Sequence, residues 1–182
     1  PKAMIVPHAG YIYSGPVAAT AYATLAESRH KIRRVVLIGP DHRVGFEGIA
    51  APSAEWFETP LGRIPVDQQA IDALAGVERF DRAHRQEHSL EVHLPFLPVM
   101  LGEFPLVPIV VGDAQPADIA RALELRPGFE RAEVLTSYRV KRHIRPIGIK
   151  FARRFELFRR IRNRHLAESH TDGLLHAATV VA

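Results

Sequence analysis

The sequence contains no cysteine. That absence removes disulfides, thiolate zinc sites and thiol nucleophiles together, and it leaves His, Asp and Glu as the side chains able to hold a metal. No apolar run approaches the roughly 18 residues needed to cross a bilayer, and no basic start followed by an apolar stretch precedes Met4. The expected location is therefore cytoplasmic, with no membrane partner. The chain opens on Pro1 and Lys2 and passes straight into an apolar strand pattern, so we expect that a native start has been lost. Internal repeats are absent, as are low-complexity tracts other than one basic bias.

What is present fits one domain with a sizeable core, since 182 residues suffice for that. The net charge of +4 is unevenly distributed. Residues 1–125 hold 11 Lys and Arg against 15 Asp and Glu, whereas residues 126–182 hold 13 against 5. The sequence is thus read as a domain over 1–125 followed by a basic, atypical tail over 126–182.

Within 1–125, apolar strand patterns alternate with helical ones. Strands are expected at Ala3–Val6, Arg34–Ile38, Gly48–Ala51 and Leu106–Val111, with a hairpin over Trp56–Ile64 around a Pro/Gly turn. Helices are expected from Pro16 to Ala26, where Pro16 suits a first turn, from the capping Asp67 to about Leu74, and from Pro116 to Leu125. The stretch from Glu87 to Leu101 has leucines on one helical face but contains Pro95 and Pro98, so it should kink or stop near His93. Alternation of this kind implies an α/β fold, a mostly parallel sheet with helices on both faces.

In such sheets ligands bind at the carboxyl ends of strands. His8 follows the first strand and His42 the second. Neutral imidazole ligates iron, copper and zinc, and neighbouring strand ends can bring two rings within coordination distance; alternatively each ring merely bonds a loop backbone. A further cluster, His84-Arg85-Gln86-Glu87-His88, contains the inverted zinc-protease pattern H-x-x-E-H. Three fixed positions in a His-rich chain form a weak match, and it would leave the strand-end histidines without a role.

Three segments together resemble the Memo family, whose bacterial members are called AmmeMemoRadiSam system protein B. They are Val6-Pro7-His8-Ala9-Gly10-Tyr11-Ile12-Tyr13-Ser14-Gly15, Leu37-Ile38-Gly39-Pro40-Asp41-His42, and Glu87-His88-Ser89-Leu90-Glu91-Val92-His93-Leu94-Pro95-Phe96-Leu97, in the family's order and approximate spacing. The resemblance covers residues 1 to about 125. It implies a fold like that of class III extradiol dioxygenases, incomplete here at both ends, and a non-haem iron or copper at the carboxyl edge of the sheet. It also implies that His8 and His42 are metal ligands and that His88 lies near the pocket. Tyr11, Asp41 and Glu87 are the further expected pocket residues, the two carboxylates being the oxygen donors available. No catalytic residue is singled out. The chemistry implied is metal-dependent and redox or dioxygenase-like. The competing reading is a non-enzymatic module that binds a peptide or small ligand in the same pocket.

The sequence departs from the family downstream. A Ser-Ser-Asp segment with another pocket His, and a Cys-Gly segment whose Cys completes the metal site, are both missing. The tail is expected to be a frameshifted reading of that region. The other reading is a natural basic extension in which clustered Arg and Phe151, Phe155 and Phe158 contact an acidic surface, but no nucleic-acid motif accompanies the charge and a nucleic-acid partner is not expected.

Overall fold

A computed structural model describes residues 3–123, together with the backbone of two later strands. In chain order the elements are β1 (Met4–Pro7), α1 (Tyr11–Ala23), a 3-10 turn (Ala26–Lys31), β2 (Val35–Pro40), β3 (Ile49–Ala51), β4 (Trp56–Thr59), β5 (Gly62–Pro65) and α2 (Gln68–Asp72). They continue with β6 (Val77–Arg79), α3 (Asp81–His84), α4 (His88–Glu91), α5 (Phe96–Leu101), β7 (Leu106–Val111), α6 (Pro116–Ala122), β8 (Val134–Thr136) and β9 (Ala177–Val181). The rest of the 126–182 tail lies outside the described residues.

Runs of branched residues decide which strands take the middle of the sheet. Every residue of β7 is buried, and so is all of β2 except Pro40. Side chains alternate across a strand, so a run buried throughout needs cover on both faces. On one face Val35 and Leu37 of β2 and Leu106 and Val110 of β7 pack with Ala18 and Tyr22 of α1, Leu90 of α4 and Leu97 of α5. On the other, Val36, Ile38, Val107 and Ile109 pack with Ala70 and Ile71 of α2 and Ala122 of α6. The expected α/β class with helices on both faces is what forms.

Strand order is β1-β9-β2-β7-β3-β6, with β8 paired to β9 and β4-β5 a separate hairpin. Parallel pairing joins β2 to β7, from Val35 opposite Leu106 to Pro40 opposite Val111, and β3 to β6. β9 runs antiparallel to both β1 and β2, and β3 antiparallel to β7. The parallel character therefore resides in two pairs, and β1, β2 and β7 point the same way. β9, from the region read as tail, lies between the two strands that end in His8 and His42, so those strands are not direct neighbours.

One element boundary differs from expectation for an identifiable reason, and another falls where the prolines put it. α1 begins at Tyr11, well before Pro16, because the Gly10 carbonyl accepts the amides of Tyr13 (2.9 Å) and Ser14 (3.1 Å) and the Ser14 hydroxyl donates to the Ala9 carbonyl at 2.6 Å. Pro16 is tolerated inside the helix: the carbonyl it cannot serve belongs to Ile12, a residue 86 % exposed, where water can take over. The leucine-bearing stretch divides as its prolines require, with α4 ending at Glu91 and α5 starting after Pro95. Asp67 caps α2 by accepting from the Ala70 amide at 2.9 Å, and its other oxygen accepts from Arg34 Nε at 2.7 Å.

Candidate metal centre

At the carboxyl end of β2 the chain must turn away from the sheet, and Asp41 shapes the turn. Its carboxylate accepts from the amides of Arg43 (3.3 Å), Val44 (3.1 Å) and Gly45 (2.6 Å), while its own N–H donates to the Val111 carbonyl of β7 at 2.8 Å. Such a short side chain bonding amides two to four residues on is the usual way Asp stabilises a tight loop. Asp41 thereby presents His42 from a rigid loop. Its oxygens accept from backbone donors, so it builds the loop that carries His42.

Glu87 approaches from the other side. It is the N-cap of α4 and is 4 % exposed. Oε1 accepts from the Ser89 amide (2.8 Å) and from His42 Nδ1 (2.8 Å), and Oε2 accepts from the His42 backbone N–H at 2.6 Å. Burial alone would push this carboxyl up. The bonds from the His42 ring, the Ser89 amide and the His42 amide outweigh it and hold the pKa at about 2. A carboxylate that stays charged requires the His42 nitrogen facing it to carry the proton, so Nδ1–H points to Glu87.

His88, the first residue of α4, stacks on the His42 ring with centroids 4.7 Å apart and 28° between planes. Its Nδ1 is buried, has no hydrogen-bond partner among the described residues, and lies 3.5 Å from Glu87 Oε1. Burial lowers its pKa and favours the neutral, ligating form. His8, directly after β1 and fully buried, completes the group, its centroid 5.2 Å from that of His42 and 6.0 Å from that of His88. Tyr11 stands at the rim, half exposed, its ring 6.0 Å from that of Phe96. Burial, followed by the charge of Glu91, raises its pKa.

This donor set suits a transition metal. His42, Glu87 and His88 each offer one ligand atom, and those atoms all lie within 4.8 Å of one another. With metal–nitrogen bonds of about 2.1 Å, imidazole centroids around one tetrahedral ion stand about 5 Å apart, close to what the three rings show. The inverted zinc-protease pattern does not survive the fold. His84 belongs to α3 and His88 to α4, so one helix does not carry both, and the half-buried His84 ring bonds the Ala50 carbonyl through Nε2 at 3.2 Å. The functional residue hardest to read in the sequence is Glu87 in its role behind His42, since the two are 45 positions apart.

α4 reaches β2 closely enough to deliver Glu87 because residue 39 has no side chain. A Cβ on Gly39 would stand 2.8 Å from both Leu90 Cδ2 and Ser89 Cβ, two residues buried under the sheet. The Ser89 hydroxyl also donates to the Pro40 carbonyl at 2.9 Å, so α4 is tied where the methyl would go. Gly39→Ala is expected to cost about 1–3 kcal/mol of unfolding free energy, measured in denaturant, through overpacking. A variant as stable as the parent would mean that α4 can retreat without cost.

The arrangement defines an α/β protein with a histidine and carboxylate cluster at the carboxyl end of its sheet. The family model for Memo-like proteins matches residues 1–126, and the chain belongs to the Memo family. A MEMO1 family protein of Thermotoga neapolitana is 40% identical over 149 residues, covering 75% of this chain and 52% of the relative. Others from Ignicoccus hospitalis (47% over 125 residues, 65% of this chain and 43% of the relative) and Saccharolobus solfataricus (46% over 113 residues, 59% and 39%) are similar over a shorter span. The chain spans about half the length of the curated relatives it matches, or less.

Proposed function

We propose that this chain binds a redox-active transition metal, iron or copper, through His8, His42 and His88, with Glu87 behind His42 as its orienting carboxylate, and that the family's activity is metal-dependent oxidoreductase or dioxygenase-like chemistry. The observation that carries the reading is the convergence of three imidazoles from β1, the β2 loop and α4, two of them with Glu87 inside a 4.8 Å donor group. Glu87 already accepts three hydrogen bonds of 2.6 to 2.8 Å, which favours an orienting role over direct ligation. With Nδ1–H held by Glu87, Nε2 is the His42 nitrogen that would ligate. When bound, the metal would supply open positions for a substrate and oxygen. The protein's own part is to hold the imidazoles neutral and oriented in a buried setting.

Elemental analysis after loading with ferrous or cupric ion and desalting tests this. The parent chain is expected to retain about one ion, and the variant with His42→Ala and His88→Ala to lose at least about tenfold in affinity. Equal metal in the two proteins removes the proposal. A second reading has one observation in its favour: Ile12 and Tyr13 are 86 % and 81 % exposed beside His8, an apolar rim suited to a peptide or small ligand. Binding to that rim would be unchanged by chelator, whereas a ligand of the metal site would be lost.

A further inference from the structure

Among the described residues, the apolar layer between the sheet and α1, α4 and α5 encloses two buried polar side chains, outside the His8, His42 and His88 group, that are left unsatisfied. Tyr22 of α1 and His93, between α4 and α5, are both 0 % exposed. Their ring centroids are 5.9 Å apart. Among the described residues, Tyr22 Oη and both ring nitrogens of His93 have no hydrogen-bond partner.

Neither side chain has an easy way out. The Tyr22 ring is stacked on Phe96 at 5.3 Å with 9° between planes. The His93 N–H donates to the Leu90 carbonyl at 3.0 Å, and the His93 carbonyl accepts the Phe96 amide at 3.1 Å. The backbone on either side is therefore committed and the ring faces inward. An unsatisfied buried polar atom is costly to a fold that is only marginally stable, and these two side chains hold three of them. Native interiors resolve such groups with ordered water that finds two to four polar partners.

The chemistry of the pair suits one water. A neutral imidazole carries one donor and one acceptor, and a phenol can do either. Among the described residues the two rings make no direct bond, so a molecule that bridges them must be able both to donate and to accept.

We infer that a closed internal site between α1 and the α4–α5 turn holds an ordered water molecule, hydrogen-bonded to Tyr22 Oη and to one ring nitrogen of His93, which relieves two of the three unsatisfied atoms. The water joins two elements that flank the histidine cluster: α1 begins three residues after His8, and α4 begins with His88. It therefore acts as a cross-link between the supports of the site, and it does not depend on whether a metal binds there.

The test is nuclear magnetic resonance on the full chain with 15N-labelled histidine, in the presence of chelator. The expected result is a single neutral tautomer for His93 and a cross-relaxation peak between its ring and a long-lived water. Tyr22→Phe should remove that peak or shift the tautomer ratio severalfold. A dry His93 ring, or a direct Tyr22–His93 hydrogen bond, overturns the inference. Should Tyr22→Phe not fold, the wild-type water peak decides alone. A thermodynamic cycle with His93→Leu adds a second reading: a bridged pair couples by about tenfold in folding equilibrium constant, and effects that multiply to within about twofold count against the bridge.

Discussion

Glu87→Gln is expected to lower the unfolding free energy by about 2–4 kcal/mol and to weaken metal binding at the histidine cluster about 10–100-fold. The carboxylate accepts from three N–H groups, His42 N to Oε2 and both His42 Nδ1 and Ser89 N to Oε1. An amide has only one oxygen. If its NH2 takes the Oε2 position, it confronts the His42 amide donor to donor. If it takes the Oε1 position, it confronts the Ser89 amide, and the His42 ring can accommodate it only by accepting at Nδ1. That swap moves the ring proton to Nε2, the nitrogen that would ligate. Either placement is costly, and the second also blocks coordination. Denaturant unfolding reads the first effect and calorimetric titration with metal the second. Wild-type values in both for the Gln variant would show that Glu87 orients nothing.

The parts of the fold set by local pattern were legible in advance. The branched runs of β2 and β7, the hairpin around Pro60 and Gly62, and the Asp67 cap each follow from a few neighbouring residues. Local pattern is silent where distant residues decide. β6 is three residues with only Val77 partly apolar, and it is a strand because β3 lies beside it. β9 separates β1 from β2, and nothing near His8 or His42 signals the intervening strand. The gap it creates is closed by the loops: Asp41 bends the chain after β2, and His42 comes back within 5.2 Å of His8, ring to ring.

The histidines themselves stood out because strand ends are where ligands gather, but the sequence could not rank them. His84, His88 and His93 look alike in one short stretch, yet they take three environments. His88 opens α4 at the cluster, His84 bonds the Ala50 carbonyl, and His93 enters the core. α3, α4 and the turn into α5 point them in different directions, because Pro95 and the Glu87 cap interrupt what would otherwise be one helix. A one-helix reading produces the zinc-protease pattern, and a broken one dissolves it.

The same division predicts a strong acid sensitivity. Burial lowers His84 to about 4, against the Ala50 bond and the charges of Asp81 and Glu87, and lowers His93 to about 3. In the unfolded chain both titrate near 6.5. As pH falls below that value the unfolded state takes up two protons that the native state refuses, so the stabilisation present above pH 6.5 is lost on the way down to the folded values. Each histidine contributes up to roughly 1.4 kcal/mol per pH unit in this window, and the pair together about 2–4 kcal/mol between pH 7 and 5. Glu87 adds to the loss further down. Its folded pKa is about 2 against 4.5 in the reference state, so its contribution holds above 4.5 and fades as pH falls toward 2. The check is denaturant unfolding at pH 7, 6 and 5 with chelator present, repeated for His93→Leu. The parent chain should lose stability steadily and the variant at about half the slope, because one of the two groups has been replaced by a side chain that does not titrate. Stability that stays level or rises from pH 7 to 5 would mean that these rings reach solvent or a partner when protonated. A water at His93 softens the depression of its pKa without changing its sign, because one neutral hydrogen-bond partner cannot replace the hydration of an imidazolium ion.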